Sequence, residues 1–325
     1  ETFSAGEYTL TVSGGPAGYT VRDWNCEGAQ QVNSDTIRVE IGQEATCSVI
    51  LDDFPLDSSI NAAHAGAWYN FETSGQGLLI DIEPEKQYMF AAWYTFTTAD
   101  SAHPFEQRWF TAQGNYDGNR ADLVLYETLG GQFDQSQGVN TAPVGTLTLE
   151  FNGCTALDIS YDINQDNLAG QMSLIRAIPG SENDCFALAT DQTQSVDINA
   201  GMDGGWYEPA TTGQGFLIDA YPDPQNGDFI FVSWFTFGDT NASGQRWFTA
   251  QGPFDGSTAD IVLYETTGGS FVDPLPPTTA PVGTVRLEFQ DCENAMLNYA
   301  LTEEQLSGEI ELIRALPGGG KRCEE

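Results

Sequence analysis

Residues 66–84, GAWYNFETSGQGLLIDIEP, return at 204–222 as GGWYEPATTGQGFLIDAYP. RWFTAQGNYDG at 108–118 returns at 246–256 as RWFTAQGPFDG, and LVLYETLGGQF at 123–133 returns at 261–271 as IVLYETTGGSF. TAPVGTLTLEF at 141–151 matches TAPVGTVRLEF at 279–289, and LIRAIPG at 174–180 matches LIRALPG at 312–318. The offset is 138 residues throughout, except around Trp93 and Trp234, where it slips by three. Self-similarity at a fixed period marks a duplicated structural unit, and about 120 residues is an ordinary domain size. The chain therefore has to fold as two like domains preceded by something smaller.

The pattern inside each copy is all-β. LLIDI, YMFAAWYTF, QRWFTAQ, ADLVLYET, GTLTLEF, LDISYDI and QMSLIRAI are short, rich in β-branched and aromatic residues, and separated by Gly, Pro, Asn and Asp. That is the signature of a β-sandwich or barrel. Helical periodicity is weak everywhere, with a single turn expected in TEEQLSGEI at 302–310. The first 54 residues alternate as TLTV, YTVRDW, IRVEI and CSVIL, which predicts a small β-sandwich. The expected organisation is a β-module at 1–54, a linker at 55–65, repeat one at 66–188, a second linker at 189–203 and repeat two at 204–325.

Charge excludes several partners. The chain has 47 Asp plus Glu against 11 Lys plus Arg, a formal charge of −36. Nucleic-acid affinity comes largely from neutralising phosphates with Lys and Arg, so DNA and RNA are repelled, as are anionic membrane surfaces. No run of 18 apolar residues exists to span a bilayer as a helix.

The six cysteines are Cys26, Cys47, Cys154, Cys185, Cys292 and Cys323. Both later pairs are separated by 31 positions, and sequential pairing (26–47, 154–185, 292–323) is the simplest. Such bridges imply an oxidising compartment, and each is worth about 3–4 kcal/mol in the chain-entropy model. Zinc is disfavoured, because no CxxC is present and only two histidines exist. An extracellular or cell-surface location implies that a signal peptide is removed before Glu1.

Residues kept in both copies are the candidates for shared chemistry. Trp68/Trp206, Trp93/Trp234 and Trp109/Trp247 are expected in the cores, with each indole N–H bonded to a carbonyl; stacking on sugars is the alternative. Gly75 and Gly213 open G-Q-G turns that need positive φ, and no helix follows to cradle phosphate. Asp81 and Asp219 lie inside apolar strands, where a carboxylate is costly unless paired, so Asp81–Arg108 and Asp219–Arg246 pairs are expected. The catalytic alternative joins these aspartates to Glu127 and Glu265 for carboxylate-dependent glycoside cleavage. His64 and His103 are replaced by Met202 and Asn241 one period on, so no His-based triad is duplicated. No GxSxG, HExxH or GxxxxGK[ST] is present. No organic cofactor is implied. The acidic turns with Asp117 and Asp122, and with Asp255 and Asp260, are the candidates for Ca²⁺, with ordinary hairpin turns as the default.

GEYTLTVSGGPAGYTVRDWNCEG followed by TCSVILDD resembles the prealbumin-like or immunoglobulin-like modules of bacterial surface proteins. The 138-residue unit, with GxWY, SGQG, RWFTAQG, GGxF and a C-terminal cysteine pair, is similar to an extracellular β-repeat of secreted proteobacterial proteins. Neither resemblance carries a catalytic residue. Together they imply a bacterial surface setting and a scaffold or adhesive role. The expected function is a non-catalytic structural subunit of an extracellular bacterial fibre or appendage, built head-to-tail from identical subunits. The strand holding Tyr8, Leu10 and Val12 is the candidate assembly strand. A secreted glycan-binding, adhesin-like protein is the second reading, and a glycoside hydrolase the third.

Overall fold

The structure, a computed structural model, describes residues 6–10, 19–31, 36–40, 45–53, 59–70, 72–73, 75–178, 197–211, 213–221, 227–238 and 243–316. The chain divides into two compact units, Glu1–Ser58 and Ser59–Glu325. It is all-β, as its residue alternation predicts.

The first unit contains β1 (Gly6–Thr9), β2 (Tyr19–Glu27), β3 (Gln30–Gln31), β4 (Thr36–Val39) and β5 (Thr46–Asp53). One sheet has the order β1-β4-β3, and β2 pairs with β5 in a second. Cys26 lies directly opposite Cys47 in the β2–β5 ladder, and the two are disulfide-bonded.

The second unit holds two closed eight-stranded barrels. Barrel one is β6 (Gly66–Tyr69), β7 (Gly77–Glu83), β8 (Tyr88–Phe96), β9 (Gln107–Asp117), β10 (Arg120–Leu129), β11 (Asn140–Phe151), β12 (Ala156–Ile163) and β13 (Leu168–Arg176). Each strand runs antiparallel to the next, and β13 returns to pair with β6, so no edge is left. Barrel two repeats this with β14 (Gly204–Tyr207), β15 (Gly215–Tyr221), β16 (Phe229–Phe237), β17 (Gln245–Gly252), β18 (Thr258–Thr267), β19 (Thr278–Phe289), β20 (Asn294–Leu301) and β21 (Leu306–Arg314), closed by β21 on β14.

Period-two alternation fills the interiors. β12 sends Leu157, Ile159, Tyr161 and Ile163 inward, while Asp158 and Asp162 face solvent. Trp68, Trp93, Phe110 and Phe151 complete a solid core in barrel one, mirrored by Trp206, Trp234, Phe248 and Phe289 in barrel two. The sequence pattern alone left sandwich and barrel open; the β13–β6 and β21–β14 ladders make both repeats barrels.

The repeat begins earlier than the predicted linkers allow. Ile60 and Ile198 are buried and donate their N–H to Gly118 and Gly256, one period apart. Asn61 and Asn199 then cap matching 3₁₀ turns, Ala62–His64 and Ala200–Met202. The segment 302–305, expected as a helical turn, is a hairpin turn with Gln305 at φ +53°.

Candidate functional site: the seam between the barrels

The strands β7 and β8, with β15 and β16, have no solvent face to spare. YMFAAWYTF is apolar throughout because Met89, Ala91 and Trp93 point into barrel one, while Ala92, Tyr94 and Phe96 point into a second core between the barrels. That second core joins Leu79, Tyr94, Phe96 and Trp109 of one barrel to Leu217, Phe235, Phe237 and Trp247 of the other.

The polar contacts to backbone groups there recur reciprocally, as in an isologous dimer. Asp219 accepts the N–H of Ala67 at 2.7 Å, and Asp81 accepts the N–H of Gly205 at 2.9 Å. Trp109 Nε1 donates to Thr236 O, and Trp247 Nε1 to Thr95 O. Gln107 donates to the carbonyls of Trp247 and Thr266; Gln245 donates to those of Trp109 and Thr128. Backbone groups at this seam are thus satisfied by side chains from the other barrel.

The barrels also exchange plugs. Phe271, from barrel two, is fully buried inside barrel one, 4.9 Å from the Trp93 ring and 5.3 Å from Tyr161. Phe133, from barrel one, packs in barrel two at 4.9 Å from Trp234 and 5.6 Å from Tyr299. Gln76 and Gln214, in the G-Q-G turns, hold these loops: Gln76 Nε2 donates to Phe271 O, and Gln214 Nε2 to Gln132 O. Gly75 and Gly213 take positive φ, +86° and +79°, as expected of those turns. At Gly131 and Gly269 the reason for glycine is proximity: a Cβ at either would collide with the Phe237 or the Phe96 ring.

The expected Asp–Arg pairs do not form in this arrangement. In the β7–β8–β9 register Asp81 faces Phe90 and then Gln113, five positions along β9 from Arg108, and its carboxylate turns to Gly205 across the seam. Arg108 instead binds Glu127 at 2.8 Å and Asp166 at 2.6 Å. Arg246 binds Glu265 at 2.7 Å and Glu304 at 2.6 Å; burial works against its charge, but the two carboxylates together outweigh it and raise the guanidinium's pKa. The two guanidinium groups lie over Phe110 and Phe248. Glu127 and Glu265, the carboxylates of the hydrolase reading, are therefore engaged in ion pairs, and Asp81 and Asp219 in the seam.

Arg176 and Arg314, in the repeated LIRA motif, were given no role by sequence reasoning. Each fastens three backbone carbonyls. Arg176 reaches Ala63, Ala65 and Cys154; Arg314 reaches Gly201, Asp203 and Cys292. Each also lies over a core tryptophan, at 4.3 Å from Trp68 and 4.4 Å from Trp206. His64 sits beside Arg176. Burial, reinforced by that guanidinium, lowers its pKa to about 4, and its Nδ1 accepts the Asn61 N–H as a neutral ring.

The remaining predicted residues are scattered. Asp122 is bound by Arg120 and Thr148, and Asp260 by Arg286. Asp255 belongs to the β-turn before β18 and Asp117 ends β9. Among the described residues, no three His, Cys, Asp or Glu side chains gather as a metal site. Cys154 and Cys292 are disulfide-bonded; Cys185 and Cys323 lie outside the described residues. Tyr8 lies in β1 and Leu10 just beyond it, while Val12 is outside the described residues. All six barrel tryptophans are at most 2% exposed, so none offers a face to a sugar.

A family model for a prealbumin-like fold domain matches residues 1–49. No curated protein matches the chain. The N-terminal match and the Cys26–Cys47 bridge fit an extracellular surface protein, and among the described residues no helix is long and apolar enough to cross a membrane.

Proposed function

We propose that this chain is a non-catalytic structural subunit of an extracellular bacterial fibre or surface appendage, joined head-to-tail to copies of itself. The observation that carries this reading is where the repeated residues go. The G-Q-G turn, the strand aspartate, the tryptophan of RWFTAQG and the phenylalanine of GGxF all serve the seam or the plugs. Repeated residues spent on holding two barrels together support a brace rather than a reaction centre. The prealbumin-like module at the N-terminus adds support, since such modules are structural parts of surface proteins.

In this reading β1 does the joining. It stands at the edge of its three-stranded sheet among the described residues, and an edge strand presents a row of backbone groups to an incoming strand. A contact of that kind that does not close on itself yields an open filament. Negative-stain electron microscopy of the native surface material and of the purified chain tests the proposal. Filaments that disappear when residues 1–12 are deleted are expected; dispersed monomers at every concentration would overturn it.

A further inference from the structure

Where the two barrels meet, the seam opens into two grooves, one on each side. The larger has a volume of about 780 Å³ and its twin about 360 Å³. Among the described residues that line them there is no charged side chain, in a chain with 47 acidic residues. By contrast, a third depression on the outer wall of barrel one includes Glu72, Arg120, Glu150 and Asp158.

The groove walls also hold a repeated polar residue outside the seam's contacts. On β17, Gln251 stands directly across from Phe231, and Thr249 directly across from Tyr264 of β18. Gln251 is exposed. Tyr69 and Tyr221 face them from the other walls. One period earlier the same set recurs: Gln113 is exposed across from Phe90, with Thr111 and Tyr207 beside it. The seam explains why Trp109 and Trp247 recur. It gives no reason for an exposed amide beside an aromatic ring to recur.

We propose that the larger groove is a binding site for a neutral oligosaccharide, with its twin a weaker second site. An uncharged, aromatic-walled cleft with a few polar groups matches small-ligand sites in general. Aromatic faces suit the C–H faces of a sugar ring, and the Gln251 amide with the Tyr69 and Thr249 hydroxyls can donate to and accept from its hydroxyls. The surrounding charge of −36 repels uronates, sialosides and sulfated glycans, which narrows the ligand to neutral sugars. Trp68 and Trp247 back the larger groove but are at most 2% exposed, so its sugar-facing groups are Tyr69, Phe231 and Gln251, and the site does not depend on whether the chain forms fibres.

The test is a glycan array carrying neutral and anionic oligosaccharides, probed with the full chain and with Gln251→Ala, Tyr69→Ala and Gln113→Ala. Neutral glycans should be retained and acidic ones refused. Gln251→Ala should weaken binding about tenfold, and Gln113→Ala less, because the smaller groove contributes less. Unchanged near-ultraviolet circular dichroism would show that these surface changes leave the fold alone. A blank neutral panel, capture of anionic glycans, or binding indifferent to Gln251→Ala and Tyr69→Ala would each overturn the proposal. Filament formation is read separately by microscopy, so failure of one idea leaves the other standing.

Discussion

Barrel one and barrel two present the same framework to the seam but differ wherever a contact can be exchanged as a unit. Tyr94 and Ser233 share a buried 2.9 Å hydrogen bond; the positions related by the duplication hold Phe235 and Ala92. Tyr299 donates to Asp134 beside the Phe133 plug, whereas Tyr161 has Val272 in the corresponding place beside Phe271. His64 caps its turn with an imidazole, and Met202 ends the matching one. The invariant contacts, such as Asp81 to Gly205 N and Asp219 to Ala67 N, satisfy backbone groups that cannot be mutated away. Polar side-chain pairs can vanish together, because removing both partners leaves no orphan. The framework is thus fixed by the backbone's own donors and acceptors, and divergence is confined to pairs.

The most severe way to break the comparison is to pull a plug. Phe271→Ala should cost about 3–5 kcal/mol, the range for emptying a buried aromatic site. The damage should fall on barrel one, where the ring sits, although the mutation lies in barrel two. Hydrogen exchange resolved by peptide should show β8 and β12 losing protection before β16 and β20. Phe133→Ala should reverse that order at a smaller cost, since Phe133 is only half-buried. Loss of protection confined to the mutated barrel would show that the plugs are not structural.

Acid should separate the barrels next. The folded His64 stays neutral down to about 4, while an unfolded histidine titrates near 6.5. Between those values the unfolded chain takes up a proton that the folded chain refuses, so stability falls as pH drops through the window, by about 3 kcal/mol in full. Relief of repulsion among the many carboxylates acts in the opposite direction and on both barrels. His64→Met, which installs barrel two's own residue, isolates the histidine contribution. Denaturant midpoints for variant and parent should draw apart between about pH 6.5 and 4, and a constant gap would remove the role given to His64.

Much of this organisation was readable in the sequence. Duplication, strand pattern, the Cys26–Cys47 pair and the burial of the tryptophans follow from spacing and composition. The unbroken apolar run of YMFAAWYTF has the composition of a strand buried on both faces, and β8 is such a strand. What could not be read was what covered its second face. An aspartate inside an apolar strand announces that it needs a partner, but a one-strand pattern cannot say that the partner is a backbone N–H 124 residues away. The nearest arginine in the sequence was the wrong choice for that reason. The plugs were hidden likewise: GGxF reads as a turn, and only a second barrel turns its phenylalanine into core. A signal for the early start of each repeat was present, in Ile60-Asn61-Ala62 and Ile198-Asn199-Ala200 at the same 138-residue offset. The exposed Gln113 and Gln251 were visible as repeated residues, yet nothing in the sequence distinguishes a repeated surface residue from a repeated core one.

The finest test converts one side of the seam into the other. Tyr94→Phe alone leaves Ser233 with a weak contact, 3.4 Å from Leu217 O, so it should cost about 0.5–1.5 kcal/mol, the net worth of a buried hydrogen bond. Ser233→Ala alone strands the Tyr94 hydroxyl, whose burial already drives its pKa upward, and should cost as much or more. The double variant reproduces the Phe235 and Ala92 arrangement that the other side already tolerates. It should recover most of the loss, giving a coupling energy of opposite sign to the two single costs. If the double variant instead sums the two penalties, the two sides of the seam are not interchangeable, and the polar pair on the larger groove's floor is kept for something other than packing.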